Sequence, residues 1–140
     1  MPKQSVLFLC TGNSCRSQMA EAFLRKHAGA RFEVYSAGTM PKPINPFTYR
    51  VMAEVGDPLT GHYSKLAGEI VPKTGVDYLI TVCDEADKNC PVGLFKAGQR
   101  MHWSFEDPAA FEGDEQARLD KFREVRDLIE KRILVWLAGL

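Results

Sequence analysis

The sequence has no excess of charge of either sign and few residues that could cross-link it. Its 140 residues include 18 lysines and arginines against 18 aspartates and glutamates, with only three histidines and four cysteines. This balance does not favour nucleic acid or an anionic membrane as a partner. An apolar content of 45% argues against intrinsic disorder. We therefore expect one globular domain over residues 1–140 and a monomer.

Long hydrophobic runs are also missing. The first residues, "MPKQSVLFLC", hold one lysine and an apolar run shorter than that of a signal peptide. The last apolar stretch, "RILVWLAGL", falls well short of the ~20 residues of a membrane-spanning helix. We therefore expect a cytoplasmic protein with no membrane anchor. Cysteines in that reducing compartment are usually catalytic, redox-active or metal-binding and seldom form structural disulfides.

Strand and helix patterns alternate along the chain. Apolar strands are predicted at Ser5–Leu9, within "RFEVYSAG" and "VDYLITVC", and as a short fourth strand at "RMHW". Amphipathic helices are predicted between Arg16 and Gly29, between Asn45 and Gly56, and from Leu119 to Trp136. This order predicts the α/β class, a single-domain three-layer α/β/α arrangement with a four-stranded parallel sheet.

Such open sheets bind ligands beyond the carboxyl ends of their strands. Cys10 and Cys83 both stand at predicted strand ends, on that rim. Cys10 lies within "VLFLCTGNSCRSQMAEAF", where a strand gives way to a polar turn and then to a helix. The rim is therefore the predicted functional edge of the molecule.

The turn after Cys10 has the composition of an anion-binding loop. Gly12 and Asn13 tolerate left-handed backbone geometry, which lets the turn wrap and point its amides inward. Those amides and the helix N-terminus would cradle a doubly charged oxyanion, and Arg16 would add a bidentate fork. We predict oxyanion contacts from the whole turn: Thr11, Gly12, Asn13, Ser14, Cys15, Arg16 and Ser17.

Cys10 is the predicted nucleophile beneath that anion. The field of the loop is expected to lower the pKa of its thiol below the ordinary ~8.5, and Ser17 could donate a hydrogen bond to the sulfur. A cysteine separated by five residues from an arginine is a weak signal alone. Its position between an apolar strand and a helix favours the nucleophile over an incidental thiol. Cys15 is expected to pack within the loop.

The segment "CTGNSCRSQMAEAF" resembles the signature loop of low-molecular-weight protein tyrosine phosphatases and of the arsenate reductases built on that fold. Further similar segments are "VYSAG", "CDEADKNCP" and "HWSFEDP", so the resemblance covers nearly the whole chain. The phosphatases usually follow their Asp-Pro with two tyrosines, where this chain has "EDPAAF". Thioredoxin-coupled arsenate reductases carry two cysteines separated by six residues, as Cys83 and Cys90 are. The resemblance therefore implies that branch.

The implied chemistry needs no metal or cofactor. Reduction of arsenate takes two electrons, which a dithiol supplies on becoming a disulfide. The resemblance implies that Cys10 attacks arsenic and that Asp107 protonates the departing oxygen. Cys83 would then attack Cys10, and Cys90 would attack Cys83. Glu106 is the competing carboxylate, and Asp107 could instead be a turn or helix-cap residue.

Several alternatives stay open on these residues. The resemblance implies thioredoxin as the external reductant, although a glutaredoxin-type system would also serve. Phosphate or sulfate would compete with arsenate for the loop. The same site could hydrolyse a phosphate monoester through a phosphocysteine, or could bind oxyanions or sense redox state without turnover. A zinc site is disfavoured, because the cysteine spacings do not match the usual ligand pairs.

The resemblance also includes a departure from the family pattern. Some thioredoxin-coupled members bind potassium through an Asn, a Glu and a Ser, which match Asn13, Glu21 and Ser36, and through an Asp. Lys65 stands at that last position. Its ammonium could replace the cation, so we expect little dependence on potassium. The histidines are expected at the surface or in packing and not in catalysis: His27, His62 and His102.

Overall fold

The computed structural model describes residues 2–72, 74–83 and 96–140. The strands are β1 (Gln4–Cys10), β2 (Phe32–Gly38), β3 (Val76–Thr81) and β4 (Ala97–His102). The helices are α1 (Arg16–Ala28), α2 (Pro46–Glu54), α3 (Ala67–Ile70) and α4 (Glu115–Ala138), with a 3-10 turn at Pro108–Ala110. The predicted alternation of strands and helices is confirmed.

All four strands form one parallel sheet in the order β2-β1-β3-β4. The central pair, β1 and β3, align Leu9 with Thr81, and the pairing continues where the Val82 amide donates to the Leu9 carbonyl at 2.9 Å. Cys10 directly follows Leu9, and Cys83 directly follows Val82. Strand order and register therefore bring the two cysteines to neighbouring points on one rim.

The core lies between the sheet and the helices that cover it. The apolar run of β1 is wholly buried from Val6 to Leu9, as expected for a central parallel strand. On one face an aromatic cluster links the sheet to α4 through ring contacts of 5.2–6.3 Å. Its members are Phe8, Phe32, Tyr78, Trp103 and Trp136. This packing holds the rim on a rigid base.

Local signals in the sequence explain most boundaries. The Asn45 side chain accepts a hydrogen bond from the Phe47 amide at 2.9 Å and caps α2, with Pro46 at its first position. The short helix α3 was not predicted, because its four residues give no periodic pattern. The predicted strand at "RMHW" begins earlier, at Ala97, and ends before Trp103, which is buried.

Among the described residues, no helix combines the length and the apolar composition that crossing a bilayer requires. Cys90 and the segment that links it to Cys83 lie outside the described residues. The predicted monomer and the cytoplasmic location stay predictions.

Candidate active site

Backbone hydrogen bonds from outside hold the turn after Cys10 open towards a cavity. Four amides of the segment after β2 donate to carbonyls of the turn. They run from Thr39, Met40, Lys42 and Asn45 to the carbonyl oxygens of Cys10, Thr11, Gly12 and Ser14, at 3.2, 2.9, 2.8 and 3.1 Å. These bonds fix the backbone of the turn beside the cavity. A turn whose amides are fixed in place is the arrangement that an anion requires.

A glycine outside the turn makes this close approach possible. A Cβ atom placed on Gly38 would lie 2.5 Å from the Thr11 carbonyl oxygen, a contact that real side chains do not make. Gly38 is therefore required for the turn to sit against the end of β2. Sequence reasoning used this residue only as a strand end, because the close approach depends on tertiary packing.

The cavity above the turn measures about 1000 Å³. Its floor contains Cys10, Thr11, Gly12, Ser14, Cys15 and Arg16, and its walls include Cys83 and Asp107. The first turn of α1 carries no acidic residue, and its N-cap, Cys15, makes no side-chain capping bond. The free helix N-terminus and the Arg16 guanidinium therefore supply positive potential on the floor.

Asn13 and Ser17 lie beneath this floor and are fully buried. Both had been predicted as oxyanion contacts, yet the structure places their side chains against the nucleophile and the protein interior. The Asn13 amide donates to the Cys10 sulfur at 3.1 Å, and Asn13 adopts the left-handed backbone with φ 50. The Asn13 side-chain amide donates to the Ser17 oxygen at 2.7 Å. The Ser17 hydroxyl is therefore free to donate to the Cys10 sulfur, 2.8 Å away.

The electrostatic environment of Cys10 differs from the sequence-based prediction. Burial raises the pKa of the Cys10 thiol, while hydrogen bonds from Ser17 and Asn13 lower it and the nearby Cys83 adds to the rise. The prediction of a net lowering is not confirmed, because sequence reasoning counted the hydrogen-bond donors but not the cost of enclosing the sulfur. Cys15 is buried as well, and burial raises the pKa of its thiol.

Cys83 is held against the turn. Its sulfur lies 3.4 Å from the Thr11 hydroxyl oxygen, and its side chain is buried. Cys10, Cys15 and Cys83 are all free thiols. The structure thus places Cys83 beside the candidate nucleophile, as its position at a strand end predicted. Cys90, the fourth cysteine, lies outside the described residues.

Asp107 reaches the cavity from the loop after β4. One carboxylate oxygen lies 3.8 Å from the Arg16 guanidinium, and the other accepts from the Ala109 amide at 3.0 Å. Asp107 therefore caps the 3-10 turn and also lines the cavity, so its capping role and its position at the site occur together. Arg16 also donates to the Phe105 carbonyl at 3.1 Å. Glu106, the competing carboxylate, instead pairs with the Lys121 ammonium at 2.9 Å.

A buried polar network continues from Asn13 to Glu21. Ser36 accepts from the Asn13 side-chain amide at 3.1 Å and donates to Glu21. The Lys65 ammonium lies 3.7 Å from the Glu21 carboxylate, and the Lys65 backbone amide donates to the Asn13 side-chain oxygen at 2.9 Å. The four positions matched to the potassium pattern are therefore brought together. Arg25 adds a second cation to Glu21 at 2.6 Å.

His62 is not the surface residue that was expected. It is half-buried, and its Nδ1 donates to the Gln18 side-chain oxygen at 2.9 Å. Gln18, fully buried, in turn donates to the carbonyl and side-chain oxygens of Asn13 at 3.1 and 3.0 Å. No sequence signal identified Gln18, since a glutamine on a predicted helix is usually solvated. Among the described residues, no group of His, Cys, Asp and Glu side chains could hold a metal ion.

Comparisons with known proteins agree with this geometry. The family model for low molecular weight phosphotyrosine protein phosphatases matches residues 5–140. An arsenate reductase of Bacillus licheniformis is 41% identical over 133 residues, covering 95% of this chain and 94% of that protein. Arsenate reductase 1 of Staphylococcus epidermidis is also 41% identical, covering 95% of each.

Solved structures show the same fold. An arsenate reductase in a phosphate-binding state superposes with a TM-score of 0.80 at 28% identity, covering 97% of this chain and 98% of that one. A low molecular weight protein tyrosine phosphatase from T. tengcongensis reaches 0.81 at 21% identity, covering 99% and 100%. The predicted fold class is therefore confirmed. Since the family model spans residues 5–140, the chain belongs to the low molecular weight phosphotyrosine protein phosphatase family.

Proposed function

We propose that this protein is an arsenate reductase that transfers electrons through three cysteines, Cys10, Cys83 and Cys90. The observation that carries the proposal is the position of Cys83, whose sulfur contacts Thr11 at the edge of the Cys10 loop. A hydrolytic phosphatase needs no second thiol there. The names of the relatives at 41% identity support the same substrate.

In the first step the Cys10 sulfur attacks arsenic held in the loop. An As–S bond forms and an As–O bond breaks, and the departing oxygen leaves as water with a proton from Asp107. The loop amides and the Arg16 fork hold the remaining oxygens. Ser17 donates to the sulfur and stabilises its thiolate, which opposes the effect of burial.

In the second step Cys83 attacks the Cys10 sulfur. A Cys10–Cys83 disulfide forms while the As–S bond breaks, and its electron pair stays on arsenic, which leaves as arsenite. Cys90 then attacks Cys83, which releases the Cys10 thiol and leaves a Cys83–Cys90 disulfide. An external dithiol reduces that disulfide, and thioredoxin is the reductant that we propose.

The test is a single turnover of the reduced protein with arsenate and no external reductant. Released arsenite is measured, and disulfides are mapped by mass spectrometry. We expect stoichiometric arsenite and a Cys83–Cys90 disulfide. Cys90→Ser should still release arsenite but stop at Cys10–Cys83, and Cys83→Ser should release none. Free thiols without arsenite in the wild type would refute the reductase.

Phosphate monoester hydrolysis is the second candidate function. The cavity of about 1000 Å³ is larger than a tetrahedral oxyanion and leaves room for an organic group on the outer oxygen. Cys10, Arg16 and Asp107 would suffice for a phosphocysteine pathway. Turnover of an aryl phosphate by the Cys83→Ser variant, with no arsenite formed, would separate hydrolysis from reduction. A non-catalytic oxyanion or redox sensor would show neither activity.

A further inference from the structure

The loop that carries Asp107 packs against α4, and one lysine of that helix contacts residues on both sides of Asp107. The Lys121 ammonium lies 2.9 Å from the Glu106 carboxylate and 5.1 Å from the centre of the Phe111 ring. These two residues flank Asp107 and the 3-10 turn that follows it. Lys121 also lies 2.7 Å from Glu124, one turn further along α4. A single side chain thus holds both ends of residues 106–111 against the helix.

Buried Pro108 and the Phe105 carbonyl, which accepts from Arg16, also hold the loop, but the Asp107 side chain itself has few contacts. Its side chain is 43% exposed, and its ion pair with Arg16 is long at 3.8 Å. Its other contact, with the Ala109 amide, lies within the same loop. The Arg16 guanidinium is also the fork that would hold the oxyanion, so a bound substrate competes for it. Lys121 does not line the cavity, whereas Glu106 lines it beside Asp107, so the lysine contacts the cavity only through the loop.

The environment of Lys121 fits an anchor better than an ordinary surface pair. Its side chain is only 18% exposed, although Glu106 is 60% exposed and Glu124 is 56% exposed. The aliphatic stem is therefore covered by the protein, while the ammonium lies between two carboxylates and an aromatic face. The hydrogen bonds that Lys121 donates to Glu106 and Glu124 raise the pKa of Lys121, so it stays charged.

We propose that Lys121 is a positioning residue for the general acid, acting through Glu106 and Phe111 to hold Asp107 at the cavity. The inference rests on the proposed function, in which Asp107 protonates the departing oxygen. A misplaced acid slows the chemical step without weakening the grip of the loop amides on the anion. Loss of Lys121 should therefore lower the maximal rate of arsenite release and leave the half-saturating arsenate concentration unchanged.

The experiment measures single-turnover arsenite release over a range of arsenate concentrations. Lys121→Met and Glu106→Gln should each lower the maximal rate by up to about five-fold, the upper end of what loss of an ion pair with an exposed carboxylate produces. The half-saturating arsenate concentration should stay within about two-fold, since the loop is untouched. Lys121→Arg keeps the charge and should restore most of the rate. The double variant Lys121→Met with Glu106→Gln should be little slower than Lys121→Met alone, because both substitutions remove the same Lys121–Glu106 ion pair.

Glu124→Gln is the matched control. It removes the other carboxylate from the same ammonium but leaves the contacts to the Asp107 loop, so the rate should not change. Equal loss in Glu124→Gln and Glu106→Gln would overturn the proposal. So would a Lys121→Met variant that raises only the half-saturating arsenate concentration, which would mean that Lys121 merely screens the Glu106 charge. If Lys121→Met does not fold, the two exposed glutamate variants still decide the question.

Asp107→Asn separates this inference from the proposed function. If Asp107→Asn keeps the full rate, the assignment of Asp107 as the acid fails. If Asp107→Asn is slow and both Lys121→Met and Glu106→Gln keep the wild-type rate, only the positioning role fails.

Discussion

Replacing Asn13 by alanine should destabilise the fold more than any other single polar change at the loop. The Asn13 side chain makes four hydrogen bonds in a fully buried position. Truncation would leave the Lys65 backbone amide without its acceptor, whereas the Gln18 side-chain amide would keep its bonds to the Asn13 and Tyr63 carbonyls. The substitution would also place alanine at φ 50, a left-handed conformation that asparagine tolerates better.

The size of the loss follows from these contacts. The unpaired Lys65 amide costs about 1–3 kcal/mol, and the left-handed alanine adds about 1 kcal/mol. We expect Asn13→Ala to lower the free energy of unfolding by about 2–4 kcal/mol, against a total of about 5–15 kcal/mol for a typical domain. Glycine adopts the left-handed backbone without strain, so Asn13→Gly should be about 1 kcal/mol more stable than Asn13→Ala.

The assay is urea unfolding of the reduced proteins. Asn45→Ala is the matched control, since its side chain caps α2 through one hydrogen bond and should cost about 1 kcal/mol. An Asn13→Ala loss no larger than that of Asn45→Ala would refute the reasoning. It would mean that the buried network contributes no stability beyond an ordinary cap.

Three further predictions concern ionisable groups. Ser17→Ala removes a donor to the Cys10 sulfur, so the pKa of Cys10, followed by alkylation against pH with peptide mapping, should rise above the wild-type value. Hydrogen bonds from two arginines lower the pKa of Glu54 to about 2. The ionised Glu54 carboxylate therefore stabilises the fold fully at pH values above the ordinary glutamate pKa of ~4.3, and this stabilisation is lost as the pH falls towards 2. In urea unfolding, Glu54→Gln should be less stable by about 1 kcal/mol at neutral pH, since the group is partly exposed, and the difference should close in acid. Because Lys65 already lies beside Glu21, the wild-type Tm should be the same in KCl and NaCl, and a rise specific to potassium would contradict this.

The fold was predictable because each strand and most helices carry strong local signals. The apolar run before Cys10 and the Asn45-Pro46 start of α2 are decided by short-range preferences. The positions of Cys10 and Arg16 were predictable for the same reason, since both belong to one strand–turn–helix unit. Predicting the position of Cys83 required only the rule that the carboxyl ends of parallel strands meet at one rim of the sheet.

The surroundings of the loop could not be predicted in this way. Gln18 and His62 reach Asn13 from different parts of the chain, and the contacts depend on tertiary packing. The inward position of the Asn13 and Ser17 side chains could not be predicted, because side-chain type alone does not say on which side of a turn a group lies. The predicted lowering of the Cys10 pKa was not confirmed for a related reason, since a motif does not show how deeply its cysteine is buried.

The position of Cys83 separates the two chemistries that this loop could support. Attack by water on a Cys10 adduct needs an open path to the central atom, whereas attack by Cys83 needs a path to the Cys10 sulfur. That sulfur is already enclosed from below by Ser17 and Asn13. Cys83 approaches from the β3 side through Thr11, at a neighbouring strand end. In the proposed relay the first disulfide would join these two neighbouring strand ends, and its formation requires the Cβ atoms of Cys10 and Cys83 to come within about 3.8 Å of each other.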